Sequence, residues 1–119
     1  MAPDSDDLLA QQLRQLRREY LRESATRLDE LRMLRLRAAK EGAAALPDIR
    51  QAFHRLAGSG GSYGFPDVSA RSREGEHLAA GLMSAGTVPS PDDLASLDRA
   101  IDGVAEAFGA ATRSMDGGM

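Results

Sequence analysis

One histidine in this chain keeps unusual company. From Ala52 to Phe65 the sequence reads A-F-H-R-L-A-G-S-G-G-S-Y-G-F, which has helical hydrophobic spacing yet carries Gly58, Gly60, Gly61 and Gly64 just after His54. A glycine inside a helix costs ~1 kcal/mol relative to alanine. Chains accept that cost where something must approach the backbone closely. At about 100° per residue, Ile49, Phe53, Leu56 and Gly60 fall on one stripe, the spacing of a buried face. His54 falls on the opposite side, with Arg50, Gln51, Gly58 and Gly61 as stripe neighbours. Its imidazole is therefore expected in water, leaning toward the N-terminus over Arg50 and Gln51, beside a patch without bulky side chains. A neutral imidazole placed this way offers a ring-nitrogen lone pair as a nucleophile, without metal or thiol. A surface histidine with no task is the bland alternative, and the glycines weigh against it.

Other chemistries find little support. There is no Gly-rich nucleotide loop with its lysine, no kinase signature and no acidic cluster suited to Mg²⁺. Gly58-Ser59-Gly60-Gly61 continues a helix and lacks the Gly-Lys-Ser/Thr of a phosphate loop. Glu74 and His77 have the Glu-x-x-His spacing of di-iron bundles, but such a site needs a second copy and two more inward carboxylates. No metal is expected.

His54, Leu56, Gly58, Ser59 and Gly64 resemble the signature of histidine-containing phosphotransfer (HPt) domains, H-x-L-x-G-S followed shortly by glycine. Gly61-Ser62-Tyr63-Gly64-Phe65, with Glu76 further on, is also similar to the phosphotransfer domain of chemotaxis histidine kinases. The resemblance implies that His54 accepts a phosphoryl group and that Gly58 leaves room for a receiver domain. It implies a relay between receiver-domain aspartates of response regulators or hybrid histidine kinases, by a carrier with no ATP-binding or kinase domain. No cofactor of its own is implied, Mg²⁺ being expected in the receiver. Glu76 becomes the candidate that accepts from Nδ1–H and frees Nε2 to attack. Two departures stand out. Lysine usually follows the histidine by three residues, where this chain has Ala57, and Gly75 replaces the leucine of a usual Leu-Glu pair. Arg50 and Arg55 are candidate substitutes for the missing cation, Arg50 being better placed by helical geometry. Arg50, Gln51, Arg55, Gly58 and Gly61 form the expected phosphate- or partner-contacting set. Ala57 also favours the alternative, a helical docking module that binds a receiver or another signalling protein without being phosphorylated.

The positioning elements are all expected to be helical. At 119 residues and 12.7 kDa, with two Tyr, three Phe and no Trp, the chain suits a single aliphatic helical domain over residues 1–119. Its ends, 1–4 and 116–119, are expected to fray. Ser5-Asp6-Asp7 reads as a helix start. From Leu9 the apolar spacing runs through Leu13, Leu16, Tyr20, Leu28, Leu31 and Leu34 to about Lys40, with Gly42 as a stop. One helix of that length would span ~55 Å, so a break or bend is expected near residues 18–24. The first part would then cap the bundle or pair with a second copy. Pro47 opens the His54 helix, ending near 62–64. Pro66-Asp67 opens the next, with Val68, Ser72, Gly75, Leu78 and Leu82 inward, and Tyr63 and Phe65 packing at the turn between them. Ser90-Pro91-Asp92-Asp93 starts the last helix, striped by Leu94, Leu97, Ile101, Val104, Phe108 and Met115. The expected architecture is all-α, an antiparallel up-down-up-down four-helix bundle with an extra or bent N-terminal helical segment.

Charge and composition constrain partners. Residues 14–40 hold nine Lys/Arg against four Asp/Glu, so the remainder carries −8 within a total of −3. Interspersed acids and few aromatics point to a solvated, ion-paired helix face rather than nucleic-acid binding. The chain has no cysteine, its start has no secretion pattern, and no apolar run is long enough to span a membrane. A cytoplasmic protein is expected, as a monomer or weak homodimer.

Overall fold

Ser5 begins the first helix, and a computed structural model describes the chain from there to Gly117. The fraying expected at 1–4 and 118–119 lies outside the described residues. Five α-helices follow in order: α1 Ser5–Arg22, α2 Ser24–Glu41, α3 Leu46–Ser62, α4 Pro66–Ala85 and α5 Pro91–Gly117. A 3₁₀ turn, Gly42–Ala45, joins α2 to α3. Asp116 and Gly117 are the last described residues of α5. No strand occurs among the described residues.

Helices α2, α3, α4 and α5 pack in a closed ring, each on the next and α5 back on α2. Short connections make neighbours antiparallel. This is the four-helix bundle with a bent N-terminal segment. The bend is at Glu23, between α1 and α2, where the amide reaches Tyr20 O at 3.2 Å and Glu19 O at 3.3 Å. Gly42, at φ 65°, ends α2 where the sequence puts a stop. At the start of α5, Ser90 Oγ accepts from the Asp93 amide at 3.0 Å, and the Ser90 amide donates to Asp93 Oδ2 at 2.9 Å. That reciprocal cap satisfies two donors at once.

Ile49, Phe53, Leu56, Val68, Leu97, Ile101, Val104 and Phe108 form the buried core with Leu31 and Leu46. Leu78 and Leu82 lie only half-buried at its edge. Ser69, Ser72, Gly75 and Ala79 occupy the buried face of α4 instead. Small residues there bring α3 and α4 close. A Cβ on Gly75 would collide with the Phe53 ring, and one on Gly60 would lie 2.9 Å from Val68 Cγ1.

Four of the five aromatics gather where α1 meets the end of α3. The Tyr20 ring stacks on Tyr63 at 4.5 Å and on Phe65 at 5.9 Å, and tilts against Phe108 at 5.9 Å. Tyr20 Oη and Ser59 Oγ share a 2.7 Å hydrogen bond. Burial, the largest influence, pushes the Tyr20 phenol above its usual pKa, opposed by the Ser59 hydrogen bond and the Arg27 charge. The basic α2 is matched to α5: Arg35 Nη2 lies 3.0 Å from Asp98 Oδ2 and Arg32 Nη1 3.2 Å from Asp102 Oδ1. Among the described residues no helix is long and apolar enough to cross a membrane.

Candidate functional site

Helix α3 presents two faces of opposite character. Pro47 sits in its first turn, where a missing amide costs nothing. Its far end closes with the Phe65 amide donating to Gly60 O at 2.7 Å and the Gly64 amide to Gly61 O at 3.1 Å. That paired closure needs a left-handed residue, and Gly64 supplies it at φ 83°. The space beside Gly64 is taken by the Arg17 guanidinium, whose Nε donates to Tyr63 O at 2.8 Å. The end of α3 and the root of α1 are thereby locked together.

Midway along α3, His54 projects outward, with 64% of its side chain exposed. Its Nδ1 lies 2.9 Å from Glu76 Oε1 on α4, while the Glu76 side chain is only 16% exposed. An ionised carboxylate only accepts, so this bond calls for the proton on Nδ1, which in the neutral ring leaves the lone pair on Nε2. The close approach at Phe53–Gly75 sets Glu76 at this height. The glycine that replaces a usual leucine thus accommodates the aromatic ring next to the histidine.

The four glycines have different work. Gly60 is buried against Val68. Gly58 is exposed, and a Cβ there would meet no atom within 4 Å. A Cβ on Gly61 would come no nearer than 3.5 Å, to Ser69 Oγ. Nothing inside the protein requires glycine at 58 or 61, and both leave the surface beside His54 low.

Arg50 and Gln51 are exposed, and neither hydrogen-bonds to His54. The ring is fixed by Glu76 rather than by these stripe neighbours, because the half-buried carboxylate offers a directed acceptor. Arg55 turns the other way, lining a crevice of about 50 Å³ with Arg27, Glu30, Ala52 and Leu56 against α2. Arg50 and Arg55 are therefore not brought together. Ala57 is 5% exposed, and its carbonyl accepts from Ser69 Oγ at 2.7 Å. Sequence reasoning passed over Ser69, Arg17 and the Tyr20–Ser59 bond. Ser69 extends the small-residue series of 72 and 75 and was legible on that ground. The other two join distant segments. Glu74 lies 3.6 Å from Arg71, and no three or more metal-ligating side chains cluster among the described residues.

A protein-family model described as Hpt domain matches residues 15–107, from within α1 into α5. No curated protein and no solved structure matches the chain.

Proposed function

The chain belongs to the Hpt domain family, and on that premise we propose that it relays phosphoryl groups between receiver-domain aspartates through His54. The observation that carries this reading is an exposed imidazole bonded at Nδ1 to Glu76, beside a bare Gly58. Nε2 attacks the phosphorus of a receiver's aspartyl phosphate. The N–P bond forms as the P–O bond to the aspartate breaks, and the aspartate leaves as a carboxylate. The positive charge that develops on the ring is balanced by Glu76, which holds the Nδ1 proton. The reverse step delivers the phosphoryl group to a second receiver. Positioning and charge neutralisation dominate such transfers, so Mg²⁺ in the receiver supplies the main countercharge and this chain needs no cofactor of its own. Arg50, one turn before His54 on α3, is the cation that helical spacing sets beside the ring, and Arg73 lies one turn before Glu76 on α4. Gln51, Gly58 and Gly61 meet the receiver, and Arg55 contributes long-range attraction.

Incubation with a receiver phosphorylated on aspartate tests the proposal. Acid-labile, base-stable label is expected on the wild type and none on His54→Gln; label that persists in that variant would exclude His54. The absence of a cation at Ala57, where the family usually has lysine, favours a second reading, a docking module without phosphoryl transfer. Stable receiver binding with no label on the wild type would establish it.

A further inference from the structure

We propose that Arg73 on α4 binds the phosphoryl group as it crosses to and from His54, supplying from across the seam the cation that α3 lacks at Ala57. The assignment rests on the relay reading above and names the residue that meets the charge of the group in transit. Three contacts fix the register of the antiparallel pair α3 and α4. His54 Nδ1 lies on Glu76 Oε1, Ser69 Oγ donates to Ala57 O, and a Cβ on Gly61 would come 3.5 Å from Ser69 Oγ. From His54 to Gly61 is seven residues along α3, and from Glu76 back to Ser69 is seven along α4. Three residues on from His54 is Ala57, and three back from Glu76 is Arg73. These two therefore stand at one height, between contacts on either side. Phase agrees with height. Ser69, Arg73 and Glu76 follow at steps of four and three, one stripe of a helix that turns about 100° per residue. The outer two both bond to α3, which sets Arg73 on the α3 side of α4. Arg71 serves the other side: a Cβ on Gly103 of α5 would lie 3.6 Å from its Cδ, and its Nη1 is 3.6 Å from Glu74 Oε2.

Arg73 is exposed, and among the described residues its guanidinium has no ion pair or hydrogen bond, the nearby Glu76 being bonded to His54. The surface it borders is the low one. Ala57 is 5% exposed, and a Cβ on Gly58 would meet no atom within 4 Å. Helical side chains lean toward the N-terminus, which for Arg73 is the direction of Gly58 and Gly61. Its guanidinium thus flanks the entrance by which a receiver's aspartyl phosphate reaches Nε2, whereas Arg50 leans toward the start of α3, away from it. A guanidinium donates paired hydrogen bonds to phosphoryl oxygens and keeps its protons throughout. No bond to Arg73 forms or breaks. The phosphorus exchanges its bond to the aspartate oxygen for one to Nε2, and the charge spread over its three other oxygens in between is what the guanidinium meets.

Single-turnover transfer from a receiver phosphorylated on aspartate tests the assignment, read at saturating concentration so that a docking defect no longer counts. Arg73→Ala should slow the step about tenfold or more. Arg73→Lys, which keeps the charge but not the planar fork, should recover part of the loss. Arg71→Ala removes a charge from the other side of α4 and should transfer as the wild type does. Both positions are exposed, so circular dichroism should be the same for all three variants. Phosphorus NMR of the protein phosphorylated on His54 by phosphoramidate supplies a reading that folding defects do not imitate. A neighbouring guanidinium favours the fully ionised phosphoryl group, so Arg73→Ala should move its protonation to higher pH. Equal rates for the wild type and Arg73→Ala, a loss that disappears at saturation, an equal loss in Arg71→Ala, or an unmoved titration would overturn the assignment and leave His54 as the carrier. No label on the wild type, from the receiver or from phosphoramidate, would overturn the relay reading and this one with it.

Discussion

Two seams run along this bundle, and they are built in opposite ways. Between α3 and α4 the contact is close and made of small residues: Gly60 against Val68, Gly75 beneath the Phe53 ring, Ser69 Oγ bonded to Ala57 O. Between α2 and α5 long side chains reach across through Arg35–Asp98, Arg32–Asp102 and the bond from Arg35 Nε to Leu94 O at 3.2 Å. The first seam holds two helices at a fixed height, so that a carboxylate on one meets an imidazole on the other. The second spans its gap with flexible arms and tolerates small shifts. The difference follows from what each seam must position. The close seam carries the proposed transfer site, and the ion-paired one joins α2 to α5.

That contrast can be broken experimentally. The largest effect should come from Gly75→Leu, which drives a side chain into the Phe53 ring. A loss of about 1–3 kcal/mol or more in urea unfolding is expected, together with slowed phosphotransfer as Glu76 is displaced. Next is Glu76→Gln, which keeps the packing but removes the charge opposite Nδ1. A transfer rate lowered about tenfold, equivalent to ~1.4 kcal/mol of barrier, with an unchanged unfolding midpoint, is the expected split in single-turnover labelling. Arg35→Ala in the other seam should cost only about 0.5–1 kcal/mol, because Asp98 is 47% exposed, and should leave transfer untouched. Gly58→Ala should raise stability by up to ~1 kcal/mol through helix propensity, since its new methyl meets nothing inside the protein. Gly58→Leu should fold equally well yet lose receiver binding by titration. The smallest change is expected from Ser72→Ala. The Ser72 hydroxyl is buried without a hydrogen-bond partner, so its removal should be neutral or slightly stabilising in thermal unfolding.

The close seam was half-visible in the sequence. The stripe Ile49, Phe53, Leu56, Gly60 and the opposite placement of His54 follow from helical period alone, and both hold. Glu76 was reached by resemblance, and the bend near residues 18–24 by helix length; the turn at Glu23 falls inside that window. Period cannot say what lies across a seam, however. It treats Gly58 and Gly60 as the same residue type two positions apart, whereas only the packed helices show that one faces Val68 and the other faces water. It places Arg55 off the histidine stripe but cannot reveal that α2 lies on that side. The cluster of Tyr20, Tyr63, Phe65 and Phe108 draws on three separate stretches of chain, and no local pattern announces such a meeting.

The bare backbone at Gly58 has a consequence for signalling fidelity. In the proposed relay a receiver docking at Gly58 would find there only peptide groups, which every protein shares, so that spot would admit but not choose. Discrimination between rival receivers then falls to the outer ring of longer side chains, Arg50, Gln51 and Arg73. The proposed relay could then be rewired by editing that rim while His54 and Glu76 stay as they are.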